Sequence, residues 1–231
     1  MQQLISLSKQ VADGLLGGLS RNTGRSGNGY SAISTGGGQV ETFTVNGVTF
    51  EMIMVDGGAM NPFYIGKTEV TQRLWYAVMG NNPSRFIGNN NPVEQVSWYD
   101  CQEFVERLSR LTGRNFRLPT DREWEYAARG GSKSRGYEYS GSNDIYRVAW
   151  YDENSGDQTH PVAQKLDNEL SIYDMSGNVW EWCSDLWSSN STNRVIRGGG
   201  WGGGAASCRV ANRLNFTPST RDDDLGLRLA L

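Results

Sequence analysis

The chain has 231 residues, 37% of them apolar, a formal net charge of −3 and a single histidine, His160. That length supports one large domain or two small ones around a sizeable core, and a balanced charge without a basic run excludes a nucleic-acid footprint. No apolar run reaches membrane-spanning length, and Cys101, Cys183 and Cys208, far apart and without a CxxC pair, exclude a Cys/His zinc site. Two arrangements stay open for the cysteines: a disulfide between Cys183 and Cys208, or buried free thiols. Glycine reaches 29 residues, which argues for turns and irregular loops, while 8 Trp and 10 Tyr offset the modest apolar content.

In chain order, residues 1–20 have loosely helical spacing through Leu4, Ile5, Leu7, Val11 and Leu15. They lack the basic start and clean apolar centre of a signal peptide. The Gly/Ser/Asn-rich segment that follows reads as a flexible arm, so residues 1–39 are expected to be helix and arm. The compact domain is expected over residues 40–231. Thr42 to Val55 reads as a hairpin around Asn46-Gly47, the dipeptide of a tight type I′ turn. Phe63 to Lys67 reads as another strand. Thr71 is the expected cap of a helix ending at Gly80, and Ser97 of one that turns Cys101, Phe104, Val105, Leu108 and Leu111 inward before Gly113. Thr120 and Glu123 form a capping box for a short helix through Ala128. Residues 131–171 read as loops, the kind of region that is usually held in place for a functional or metallic reason.

The stretch Arg197–Leu231 has two textures. One is a frame: Arg197-Gly198-Gly199, Trp201, Cys208 to Arg213, Pro218, Arg221 and Leu225 to Leu229. The other fills the gaps: Gly202, Gly203, Gly204, Ala206, Ser207, Leu214, Asn215, Phe216, Ser219, Asp222, Asp223 and Asp224. Neither contains Lys, Glu, Gln or Met.

Several strings carry a resemblance: Gly66-Lys67-Thr68-Glu69-Val70-Thr71, Phe116-Arg117-Leu118-Pro119-Thr120 with Glu123-Trp124-Glu125-Tyr126, Tyr173 to Trp182 (YDMSGNVWEW), Arg197-Gly198-Gly199 and Gly226-Leu227-Arg228. In this order they resemble the formylglycine-generating enzyme (sulfatase-modifying factor) family, over residues 50–231. The resemblance implies an α+β fold, the C-type lectin-like variant rich in irregular structure. It also implies an oxidase with a copper-binding cysteine pair at the positions of Gly203 and Cys208. Glycine offers no thiolate, and copper(I) needs two soft ligands, so no copper and no oxidase activity are expected. The resemblance further implies a structural Ca²⁺ held by side-chain oxygens of Asp174 and Glu181 and by the backbone carbonyls of Gly177 and Val179; hard oxygen donors suit that ion.

The two textures resemble more narrowly a subset of this fold, the variable proteins of diversity-generating retroelements of the treponemal type. There, copying errors at template adenines scatter Asn codons into many residues, but never into Lys, Glu, Gln, Met or Trp. The filler residues fall in the accessible set, and Trp201 sits in the frame. What this resemblance implies is a non-enzymatic binder, a monomer at the cell surface or outside the cell, with a protein as ligand. The filler side chains, with Trp201, would share one exposed face, framed by Trp182, Trp201, Arg209, Arg213 and Arg228. An oxidase and a carbohydrate-binding lectin are the alternatives, and no Glu-Pro-Asn sugar motif supports the latter.

Overall fold

The computed structural model describes residues 30–34 and 39–231. The expected helix over residues 1–20 lies outside the described residues. Two four-stranded sheets organise the rest. In the first, β1 (Tyr30–Ser34), β2 (Gln39–Val45), β3 (Val48–Val55) and β4 (Phe63–Gly66) follow one another, each antiparallel to the last. The hairpin between β2 and β3 turns through Asn46 (φ 48) and Gly47 (φ 81), the left-handed pair that a type I′ turn needs. One difference from the sequence reading is β1. It falls in the segment read as arm and pairs Ser31 with Thr42 and Ile33 with Val40. Low-complexity composition hides an edge strand, because backbone pairing asks nothing of side chains.

Three helices follow as their caps foretell. In α1 (Gln72–Met79), the Thr71 hydroxyl accepts the Leu74 N–H, and Gly80 closes the helix at φ 78. In α2 (Trp98–Thr112) and α3 (Asp121–Ala128), reciprocal capping boxes join Ser97 to Asp100 and Thr120 to Glu123. α2 buries Cys101, Phe104, Val105 and Leu108 as expected, but Leu111 is 38% exposed. It lies in the last turn of α2. After α3 the backbone is mostly irregular, with one short helix, α4 (Ile145–Val148).

The second sheet runs in the order β7-β6-β5-β8, from β5 (Trp180–Leu186), β6 (Arg194–Arg197), β7 (Arg213–Phe216) and β8 (Leu225–Gly226). β8 is parallel to β5 and the other pairs are antiparallel. Beyond β8 the chain runs along β4: the Gly66 N–H donates to Leu229 O and the Tyr64 N–H to Leu231 O, at 2.9 and 3.1 Å. This segment therefore ties the two sheets together. The main core lies between α1, α2 and the sheets, with Trp75 stacked on Phe104 at 4.9 Å and Trp182 fully buried. Trp124, Cys183 and Val195 lie in a second cluster, and Tyr139, Tyr151 and Cys208 in a third. All three cysteines are free and buried in three different clusters. Of the two arrangements left open above, the free thiols are the ones found.

Candidate binding surface

The surface rests on a buried polar frame. Every side chain of Trp180-Glu181-Trp182-Cys183 is buried. Glu181 would be stranded there, but Arg228, itself 0% exposed, donates from Nε and Nη2 to its carboxylate at 2.7 to 3.1 Å, and Trp124 Nε1 donates at 2.6 Å. The remaining reach of Arg228 goes to Gly66 O (2.9 Å) and Tyr173 O (2.8 Å). Glu69 and Asp174 are buried close to the same guanidinium. Glu69 accepts from Asn178 Nδ2 and the Val179 N–H, and Asp174 from the Ala163 N–H. Burial, and then the neighbouring acids, hold Glu69 well above the usual carboxylate range. Burial also raises Asp174 to about 6, against the pull of its hydrogen bond and of Arg228.

This network tests the calcium expectation. Of Asp174, Gly177, Val179 and Glu181, the last has both oxygens engaged by Arg228 and Trp124, so a fixed guanidinium supplies the charge a cation would have brought. The residues as placed fit an internal ion-pair network and do not fit a calcium cradle.

A second anchor is Arg197, 2% exposed at the end of β6. It donates to Asp121 (2.5 Å), Glu125 (2.7 Å) and the Asn212 carbonyl (2.9 Å), joining α3 to the segment that leads into β7. The expected Arg209 anchor is instead an exposed surface pair with Glu138. A short polar residue string carries no signal that tells these arginines apart; burial decides it.

The glycines sort frame from filler. Gly198 and Gly199 have φ of 97 and 80, and a Cβ at Gly199 would sit 2.9 Å from Cys208 Sγ and from the Ser207 carbonyl carbon. Side chains are strained at both, and blocked at Gly199. At Gly202 a Cβ would meet nothing within 4 Å, and at Gly204 its nearest neighbour would be Asp152 Oδ2 at 3.7 Å. At Gly203 it would meet Ser207 Oγ at 2.6 Å, a movable atom. Ala206 is exposed, Ser207 is half-buried and donates to Gly204 O, and Ser219 is exposed.

Trp201 is half-buried against Phe86 (5.4 Å, edge-on) and donates from Nε1 to Asp223 O. That bond brings Asp223 and Asp224 beside the Gly200–Gly204 turn. Two expectations need correction. First, Leu214, Asn215 and Phe216 do not share one face. They lie in strand β7, where successive side chains point to opposite sides. Leu214 is 45% exposed, Phe216 packs on the main core, and Asn215 accepts from Asn193. Second, Asp222, Asp223 and Asp224 are not equally exposed. Asp223 pairs with Arg85, while burial, then repulsion from Asp222 and Asp223, pushes Asp224 up to about 7. Asp222 is the exposed member.

Cys208 sits under this turn. Burial pushes its thiol up to about 12, against the pull of its weak hydrogen-bond contact with Ser207. It is held protonated near neutrality, whereas a metal or nucleophilic role needs the thiolate.

The family model of the sulfatase-modifying factor enzyme 1-like domain matches residues 22–231. The chain is similar to Chaperone protein LppX of Paenibacillus barcinonensis, 35% identical over 270 residues that cover 87% of this chain and 94% of that one. It is also similar to the solved structure of Treponema denticola variable protein 1, at 34% identity and a TM-score of 0.74, covering 83% of this chain and 98% of that one. Inactive C-alpha-formylglycine-generating enzyme 2 of Bos taurus is 34% identical over 155 residues, 60% of this chain and 50% of that protein, so the chain spans about half the length of this relative. With two sheets, three capped helices and a long irregular middle, the chain belongs to the sulfatase-modifying factor enzyme 1-like family and has its C-type lectin-like α+β fold.

Proposed function

We propose that the chain is a non-enzymatic ligand-binding protein, presented at the cell surface or outside the cell, in which Arg197–Leu231 displays a surface built to vary and its ligand is another protein. The observation that carries this reading is the room at Gly202 and Gly204, close to Gly198 and Gly199, where positive φ strains any side chain and at Gly199 the space is also filled. Variation at the first pair costs the fold little; at the second it costs strain. The absent thiol at Gly203 and the high pKa of Cys208 speak against an oxidase. Two relatives, a variable protein and an inactive enzyme, have names consistent with a non-enzymatic role, while others are named Formylglycine-generating enzyme, so the relatives' names alone do not decide between the readings.

The test is a library randomised at Gly202, Gly204, Ala206, Leu214, Ser219 and Asp222, displayed and panned on purified proteins. The expected outcome is that most members fold and that specific binders emerge. Widespread misfolding would sink the reading. Incubation with Cu⁺, oxygen and a cysteine-containing sulfatase peptide is expected to yield no aldehyde by mass spectrometry; formylglycine would restore the oxidase. For the retroelement origin, the encoding locus is expected to hold an adenine-rich near-copy of the 3′ end beside a reverse-transcriptase gene.

A further inference from the structure

A cavity of about 470 Å³ opens between the loop after β3 and one side of α3. This is within the range of small-molecule sites. Residues Arg122, Glu125, Tyr126 and Arg129 line it at the i, i+3, i+4, i+7 spacing of one helix face. Arg197 and Arg213 close it from the second sheet, and Met60 contributes an apolar wall. Four guanidiniums face two carboxylates, Asp121 and Glu125, which leaves a formal charge of +2 in a chain whose net charge is −3.

The arginines are not all consumed by those acids. Arg197 is, donating to both at its buried position. Arg129 uses Nε and Nη2 on Glu125. Burial would raise Glu125, but the hydrogen bonds from Arg129 and Arg197 hold it below the ordinary carboxylate value, so it stays ionised and fixes both arginines. Arg213 lies over the Trp187 ring at 4.3 Å and reaches Asp121 at 3.3 Å, while its buried Nε has no partner. Arg122 is exposed and forms no ion pair among the described residues. Tyr126 donates its hydroxyl to Asp56 at 2.8 Å, which pins the ring at the cavity wall.

We propose that this cavity binds a small organic oxyanion, a phosphate- or carboxylate-bearing molecule with a flat apolar part. Guanidiniums recognise such groups through paired N–H donors, and Tyr126 with Met60 offers the apolar contact. The site borrows Arg197 and Arg213 from the frame of that stretch but uses none of its filler positions, so it stands or falls separately from the binding role proposed above.

The test titrates the intact protein at low salt with phenyl phosphate, benzoate, inorganic phosphate and benzyl alcohol, followed by calorimetry and by shifts of labelled arginine side chains. Saturable binding of phenyl phosphate or benzoate is expected, with the tighter one naming the anionic group. Inorganic phosphate is expected to bind more weakly and benzyl alcohol not at all. Arg122→Glu is expected to weaken binding by about tenfold or more, Arg122→Ala by less, and added salt to weaken it in the parent chain. Because Arg122 is exposed, both variants are expected to unfold as the parent does. The proposal is overturned if neither aromatic anion saturates, if benzyl alcohol binds as well as they do, or if Arg122→Glu and Arg122→Ala leave the affinity unchanged.

Discussion

Gly198 and Gly199 lie beside Gly202 and Gly204 in one short segment, yet the two pairs obey different rules. The first pair turns the backbone left-handed under a buried cysteine; the second faces open space. The same contrast holds for charge. Arg228 and Glu181 are fully buried and mutually bonded, whereas Asp222 is exposed a few residues upstream. The molecule thus keeps its specificity of fold in a small set of buried polar contacts and leaves the intervening positions unconstrained. Asp224 lies between the two classes: filler by sequence, largely enclosed in the structure, and next to Gly200, where a Cβ would meet it at 2.5 Å.

The largest expected effect comes from breaking the frame. Arg228→Ala leaves Glu181 buried without its partner and is expected to cost about 3–5 kcal/mol in denaturant unfolding. A loss below about 1 kcal/mol would mean that the network relaxes to water and that the frame is elsewhere. Gly177→Ala comes next. Its Cβ would meet Trp150 O at 2.2 Å with φ +80, so a loss on the order of 1–3 kcal/mol is expected from strain, before any cost of moving the Trp150 backbone.

The intermediate residue gives a pH test. The carboxyl of Asp224 titrates at about 7 in the folded chain, above its ordinary value of 3.8. The folded state therefore holds this proton more tightly than the unfolded one. Its contribution to stability is fully present below about pH 4 and is lost as pH rises through about 7. Asp224→Asn is expected to flatten that part of the stability curve and to raise stability at pH 8 relative to the parent. An unchanged slope between pH 4 and 8 would reassign Asp224 to the exposed class.

On the other side of the comparison, Gly202→Ser, Ala206→Asn and Ser219→Asn are each expected to move stability by no more than about 0.5 kcal/mol, measured by the same unfolding curves. The smallest effect expected is that of metal. Because Arg228 already engages Glu181, chelation by EDTA or addition of Ca²⁺ is expected to leave the melting temperature unchanged. A rise with Ca²⁺ would show that the acids can release the guanidinium and accept a cation instead.

Much of this was legible from residues alone, because local chemistry decides it. Asn46-Gly47 fixes its own turn, and Thr71, Ser97 and Thr120 satisfy the N–H groups of the helices they start. The glycine texture separated frame from filler in broad terms. What stayed hidden depends on long-range packing. The pairing of Glu181 with Arg228 and of Arg197 with Asp121 and Glu125 joins distant segments through side chains that any surface also carries. The face of Leu214, Asn215 and Phe216 could have been read correctly, since strand alternation alone separates Asn215 from its neighbours. The arginine face of α3 was visible as a helical spacing, but it gains meaning only when Arg197 and Arg213 arrive from the other sheet.

The path of the chain after Asp224 has a consequence for how faulty copies fare in a cell. The filler positions precede β8, the Arg228 plug and the segment that runs along β4, so the ribosome makes these fastening parts last. A frameshift or stop codon between positions 202 and 224 removes Arg228 and the Leu227–Leu231 pairing together, leaving buried acids and open sheet edges. Such products are expected to fold poorly and to be open to proteolysis. Folding of this chain therefore depends on an intact reading frame to its last residues.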